Sequence, residues 1–227
     1  MKIRIIASTL ALAATLGAAP IQAGWNRGAP QDTAVVQPLQ ALSPGEESTL
    51  LFMREEEKMA RDVYLVLFDL WEQPVFDNIS DSEQRHMDAM KRQLEKYGLV
   101  DPVTDDSVGV FNNEQLAALY QELVTRGGES LEMALRAGAL IEEIDILDLE
   151  NAIAESTHDD LTRAYENLLR GSRNHLRAFV RQLESLGIVY EAQEMDQAQL
   201  DGIVDSPMER GGRKAKRKGC KGRGCRF

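Results

Sequence analysis

Six side chains, Glu57, Glu83, His86, Glu142, Asp145 and His175, fall at positions where helical spacing turns them inward among apolar neighbours. Carboxylate oxygens and imidazole nitrogens together suit iron, manganese or zinc. Glu83 and His86 are three residues apart, so on a helix both aim at one point. A lone carboxylate taken out of water costs several kcal/mol, so it takes up a proton or finds a cation. Acids facing one interior also repel each other. The seams offer no Lys or Arg to pair them all, and two divalent ions would balance four carboxylates. Taken singly, Glu57 also reads as part of a solvated run, Glu55-Glu56-Glu57, and His175 as a core histidine. Their joint occurrence on four helices favours ligation.

The elements that must position these residues are helices. Aromatics are sparse, at 6%, and β-branched runs are few, which leans away from sheet. Ser43-Pro44-Gly45-Glu46 is a capping box that starts a helix at Pro44. Its seam is Leu50, Met53, Glu57, Ala60, Tyr64, Leu67 and Trp71, and Gln73-Pro74 stops it. A second helix is predicted from Asn78 to Tyr97, closed by Gly98. A loop and a short helix from Asn113 to Thr125 form a long crossover. A third long helix, Ser130 to Ala154, presents Leu131, Leu135, Gly138, Glu142, Asp145, Ile146, Leu149 and Ile153. Glu143, Asp148 and Glu150 fall on its flanks. A fourth opens at a Thr157 cap with Asp160 and runs to Leu186, with His175 beside Leu176, Phe179 and Leu183. A short stretch, Met195 to Val204, follows.

Residues 83–100 align without gaps to 172–189, pairing His86 with His175 and Gly98 with Gly187. A repeat this long suggests one helical hairpin used twice. Two hairpins joined by a crossover make an antiparallel four-helix bundle.

These segments resemble the ferritin-like superfamily that includes bacterioferritin and rubrerythrin. Glu57-Lys-Met-Ala-Arg61-Asp62-Val-Tyr64 is similar to its first-helix ligand motif, and Glu83-Gln-Arg-His86 to its second-helix Glu-x-x-His. More closely, Met53-Arg-Glu-Glu-Glu-Lys, Ser82-Glu-Gln-Arg-His-Met-Asp, Gly138-Ala-Leu-Ile-Glu-Glu-Ile-Asp and Glu166-Asn-Leu-Leu-Arg-Gly-Ser-Arg-Asn-His-Leu-Arg-Ala-Phe resemble an uncharacterised ferritin-like family, domain of unknown function 2202. The resemblance spans about residues 43–190. It implies a ferritin-like bundle holding two metal ions, iron first, with manganese or zinc as alternatives. The implied ligands are Glu57, Glu83, His86, Glu142, Asp145 and His175. Ser172 departs from the pattern, standing where the fourth-helix Glu belongs; Asp145 is the candidate to supply the missing oxygen. Glu56 and Glu143 are second choices should a helix be rotated.

The ends of the chain read differently. Lys2 and Arg4 precede an apolar run from Ile5 to Ala19, and Ile21-Gln22-Ala23 offers a cleavage site. Residues 1–23 thus read as a signal peptide, placing the mature protein in a periplasm or outside the cell. Residues 24–42 read as a linker, 43–190 as the bundle, 191–208 as a short helix and connection. Residues 209–227 form a basic tail with nine Lys/Arg and one acid. The whole chain is nonetheless at −11, so the body is strongly acidic, which argues against nucleic acid as its partner. The tail suits contact with anionic surfaces. Cys220 and Cys225 lie in it, as a small disulfide or idle thiols. Expected partners are oxygen, peroxide or ferrous ion, with a homodimer also plausible. The expected activity is peroxidase-like or ferroxidase-like. A non-catalytic metal-binding module and a bundle that has lost its metal are the alternatives.

Overall fold

The computed structural model describes residues 40–211, and these form six helices with no strand. They are α1 (Pro44–Trp71), α2 (Pro74–Tyr97), α3 (Glu114–Gly127), α4 (Leu131–Glu155), α5 (Asp159–Ser185) and α6 (Gln197–Val204). The expected signal peptide, nearly all of the linker, most of the basic tail and both cysteines lie outside the described residues. Among the described residues no helix is long and apolar enough to cross a membrane.

The four long helices pack as two hairpins, α1 with α2 and α4 with α5, laid against each other. The neighbours across the seam run antiparallel. Glu46, at the start of α1, meets Thr157 beyond the end of α4, and Tyr64 further along meets Gly138 and Glu142. Phe76, early in α2, meets Phe179, late in α5, while Tyr97 meets Asp160. Leu50, Met53, Leu67, Phe76, Met90, Leu94, Leu149, Leu168, Phe179 and Leu183 fill the core. Burying one such side chain contributes about 1.5–3 kcal/mol.

Several boundaries differ from expectation. α1 ends at Trp71 as expected, but α2 starts at Pro74 rather than Asn78: Pro74 is its first residue, where its missing N–H costs no helical bond. Glu72 turns the corner alone, in the left-handed region at φ 50°. The Thr157 cap is not used. His158 is the N-cap residue of α5, and Thr157 instead donates from N and Oγ1 to the Glu46 carboxylate at 2.8 and 3.1 Å. Glu46 also takes the expected capping-box bond from the Ser43 N–H at 2.9 Å and sits 2.8 Å from His158 Nδ1. At the other margin, Leu42 is buried rather than part of a loose linker. Glu209 is strapped to α5 by Arg173 and Arg177, so the ordered chain extends past the expected tail boundary.

The internal repeat survives as geometry. Leu99 N–H donates to Leu94 O at 2.9 Å, and 89 residues on Ile188 N–H donates to Leu183 O at 3.0 Å. Both turns pass through a left-handed glycine, Gly98 at φ 71° and Gly187 at φ 75°, the φ that glycine adopts at little steric cost.

The crossover that links the hairpins is fastened to the outer face of α1. Arg54 makes a two-pronged contact with Asp101, both at 3.1 Å. The Glu55 carboxylate accepts the Asn112 N–H at 2.6 Å, and Asp62 accepts the Gly109 N–H at 3.0 Å. Lys58, fully buried, bonds Asp62 and the Ser107 carbonyl, and Arg61 bonds Asp62 and Asp106. Glu55-Glu56-Glu57 is therefore not a solvated run, because all three are buried. Lys and Arg do enter the interior, against expectation, but those on α1 pair within this outer clasp and Arg177 on α5 pairs with Ile203, Ser206 and Glu209.

Candidate metal centre

α1 contributes Glu57, α2 contributes Glu83 and His86, α4 contributes Glu142 and Asp145, and α5 contributes His175; five are buried, and His86 is about one-tenth exposed. Midway along each helix the four backbones are held at fixed spacing by the packed layers above and below. Tyr64, Phe76 and Phe179 form one such layer, with ring centroids 5.3–6.3 Å apart.

Glu83 sits at the middle. One of its oxygens, Oε2, lies 2.7 Å from His86 Nδ1, and the other, Oε1, lies 2.8 Å from His175 Nδ1. His86 Nδ1 is also 3.2 Å from Glu57 Oε2, and His175 Nδ1 is 3.5 Å from Glu142 Oε2. Two groups result, Glu57–Glu83–His86 and Glu83–Glu142–His175, each with its donor atoms within 4.8 Å of one another and with Glu83 common to both. The imidazoles, related by the repeat, stack at 5.6 Å between centroids. Their edges are about one-tenth exposed, whereas Glu57, Glu83 and Glu142 are sealed.

His86 Nδ1 and Glu57 Oε2 form a hydrogen bond, but other close pairs do not. Glu83 Oε1 and His175 Nδ1 are close, yet neither has an aligned hydrogen-bond partner, and Glu57 Oε1 and Asp145 Oδ1 are likewise buried without one. Buried polar atoms left so are rare and costly. Ligand atoms gathered this closely, with several left unpartnered, are what a cation between them would satisfy. These buried groups fit metal ions, and His with carboxylate is a donor set for iron, manganese or zinc.

The electrostatics agree. Burial alone would raise Glu83, but His175 and His86 outweigh it and hold it well below the ordinary carboxylate range. Burial would lower His175, but Glu83 and Glu142 lift it to about 9. His86 is raised in the same way by Glu57 and Glu83. Glu57 is pushed far up by burial and by Asp145. Asp145 is pushed to about 8 by burial, then by Glu142 and Glu83. Glu142 is raised by burial, with His175 and the Tyr64 hydroxyl opposing. Without a cation, the cluster keeps its charge down by holding protons.

Asp145 stands apart from the two groups of three. One of its oxygens accepts the Ser172 hydroxyl, and Ser172 also donates to Leu168 O at 3.0 Å. The helix-four position that the resemblance reserves for Glu thus holds a small residue that orients a carboxylate from helix three. Glu143, kept as an alternate ligand, faces away. Its oxygens accept the Tyr190 hydroxyl at 2.6 Å and the N–H groups of Gln193, Glu194 and Met195, pinning the turn before α6. Glu56, the other alternate, is buried beside the centre but belongs to neither group.

Two further residues support the centre. Tyr64, read as a seam residue and the end of the first-helix motif, donates its hydroxyl to Glu142 Oε1 at 2.6 Å. Gly171 carried no signal beyond its place before Ser172; a Cβ there would lie 2.6 Å from the His86 ring. Its bare backbone makes room for the imidazole.

The family described as an uncharacterized protein domain, DUF2202, matches residues 46–207. An uncharacterized protein of Methanocaldococcus jannaschii, MJ0754, is 49% identical over 174 residues, which is 77% of this chain and 94% of the relative. The crystal structure of hypothetical protein MJ0754 from Methanococcus jannaschii aligns with a TM-score of 0.74 at 48% identity, covering 76% of this chain and 99% of that one.

Proposed function

The chain belongs to the DUF2202 family, and we propose that it is a ferritin-like protein whose interior holds two metal ions, iron first, for oxidase-like or peroxidase-like redox chemistry or iron handling. One observation carries the reading: Glu83 has a histidine against each of its two oxygens, and each histidine has a further glutamate behind it. A carboxylate so flanked is shaped to be shared between two cations, with Glu57 and His86 on one and Glu142 and His175 on the other. Asp145, oriented by Ser172, is close enough to raise the negative potential on both sides and stands in for the fourth-helix carboxylate.

Two iron ions held in this way would supply electrons to a small oxidant such as oxygen or peroxide. The chain's own residues bind and orient the ions, exclude bulk water and hold protons. Tyr64 fixes the rotamer of Glu142 through its hydroxyl. Glu83 and the histidines fix one another through opposite charge. Ligand-orienting partners of this kind commonly affect metal affinity tenfold or more. Residues 1–23 complete the proposal by directing export, so ferrous ion or oxidant would be met outside the cytoplasm.

Metal analysis of protein purified mildly from iron-fed cells tests it. The expected result is about two iron ions per chain. A near-ultraviolet absorption band should bleach with reductant and return with peroxide. Metal that stays bound without redox cycling would leave a binding module. Absence of metal, with stability unaltered by Glu83→Ala, would leave only the scaffold.

A further inference from the structure

A ligand set held inside a bundle needs a way in, and the two seams of this bundle are not alike. On the seam between α1 and α4, Glu56, Glu57 and Ala60 of α1 and Ile141, Asp145 and Leu149 of α4 are all buried. On the seam between α2 and α5, each histidine turns Nδ1 inward, to carboxylates that are 1–2% exposed, while 11% of each imidazole side chain meets solvent. The Nδ1 of His175 is itself buried, so the exposed part of that ring is its outer edge. Among the described residues, the six-residue cluster therefore has its largest exposure at the two imidazoles.

The side chains around those rings are small, and they are small twice. Ser82, His86 and Ala89 on α2 recur as Gly171, His175 and Ala178 on α5, at the repeat's offset of 89. Positions four before and three after a histidine share its helix face. All four hold a small residue, and all four are half-buried. Ala89 and Ala178 pack at the margin of the core. A Cβ on Gly171 would stand 2.6 Å from both Cε1 and Nε2 of His86 and 3.8 Å from Cε1 of His175, so the two rings meet over bare backbone of α5. Longer side chains at these places would close over the imidazoles. An approaching transition-metal ion finds there a nitrogen-bearing edge, a donor type that suits it.

We propose that metal ions reach the paired centre through the seam between α2 and α5, over the outer edges of His86 and His175, and that Ser82, Ala89, Gly171 and Ala178 keep this passage open. The passage of ions rests on the paired reading above, whereas the opening over the imidazoles stands on its own geometry.

Ser82→Leu and Ala178→Leu test it, one on each helix, at half-buried positions outside both ligand groups. Manganese(II) uptake by metal-free, full-length protein is read from the loss of the free-ion paramagnetic resonance signal, at equilibrium for the count and after rapid mixing for the rate. The expected count is about two ions per chain in wild type and in both variants. Loading should slow about tenfold in each variant, the rate cost of about 1.4 kcal/mol of added barrier. Two folded variants that load at the wild-type rate overturn the passage. A wild type that binds no ion overturns the paired centre, and the passage of ions with it. The opening is read separately, by diethyl pyrocarbonate modification of the metal-free protein followed by peptide mass spectrometry. His86 and His175 should be modified in wild type and more slowly in the variants. Resistance of both histidines in wild type, or equal rates in all three proteins, overturns the opening whatever the metal count. Circular dichroism checks the fold, and either variant alone carries the test should the other unfold.

Discussion

Loading the centre with metal should expel protons, and the structure sets how many. In the metal-free protein His175 titrates at about 9 and Asp145 at about 8. His86 and Glu57 are both held well above their ordinary values, the first by its flanking carboxylates, the second by burial. All four groups therefore carry a proton at pH 7. Burial holds the protons on Glu57 and Asp145, and on the imidazoles it is attraction to carboxylates, worth about 3.5 kcal/mol for unit charges at the 4.8 Å spacing and an effective dielectric of 20. A ligand must give up its proton to bind, so filling the pair releases about four protons per chain. The sign follows. Metal competes with protons, so affinity rises with pH and is lost on acidification. With about four protons exchanged, overall affinity for the pair climbs about 10⁴-fold from pH 6 to pH 7. Calorimetric titration with manganese(II) at pH 7 in two buffers of different ionisation heat counts the protons directly. Glu83→Gln removes the shared counter-charge of both imidazoles, and the count should fall by about two. Release of less than about one proton, or an affinity flat from pH 6 to pH 8, would refute the idea that protons hold the place of the cations.

Tyr64→Phe deletes the hydroxyl bonded to Glu142 and should weaken metal binding about tenfold by equilibrium dialysis, with the fold unchanged by circular dichroism. Gly171→Ala brings a methyl to 2.6 Å from the His86 ring, so metal affinity should drop while the melting temperature of metal-free protein moves little, since the imidazole edge has room at the surface. Gly138→Ala meets the Phe179 ring at 2.5 Å inside the core, and thermal unfolding should report a loss of about 1–3 kcal/mol. Glu46 and Glu209 are both held down at about 2, the first by His158, Ser43 and Thr157 against the opposing effect of burial, the second by Arg173 and Arg177. A depressed carboxylate stabilises above its ordinary value and loses that contribution as pH falls, so stability should decline between pH 4.5 and about 2, less steeply in Glu46→Gln.

The helical class, the inward placing of the candidate ligands and the doubled hairpin were readable from the sequence because each has a period. Helical spacing put Glu57, Glu83, Glu142 and Asp145 on apolar faces, and the offset of 89 residues tied His86 to His175. What periodicity does not carry is the crossover's position, since a loop's path depends on long-range partners. Residues 53–64 are buried all round because that crossover covers the outer face of α1, so Glu55 and Glu56 looked exposed and are not. Glu143 fails for the same reason: the turn at 190–195 folds back over it. Thr157 looked like a cap because its spacing to Asp160 was right, but a carboxylate 111 residues earlier in the chain claims it.

The clasp on the outer face of α1 does more than anchor a connection. Arg54, Glu55, Lys58, Arg61 and Asp62 grip the crossover from the same two turns that bear Glu57 on the opposite side. A rod gripped along its back cannot roll or slide, so Glu57 keeps its bearing whether or not anything occupies the space before it. Chain added to the crossover outside those grips should be harmless, whereas residues removed between Asp101 and Asn113 would turn the rod and swing Glu57 away from its partners.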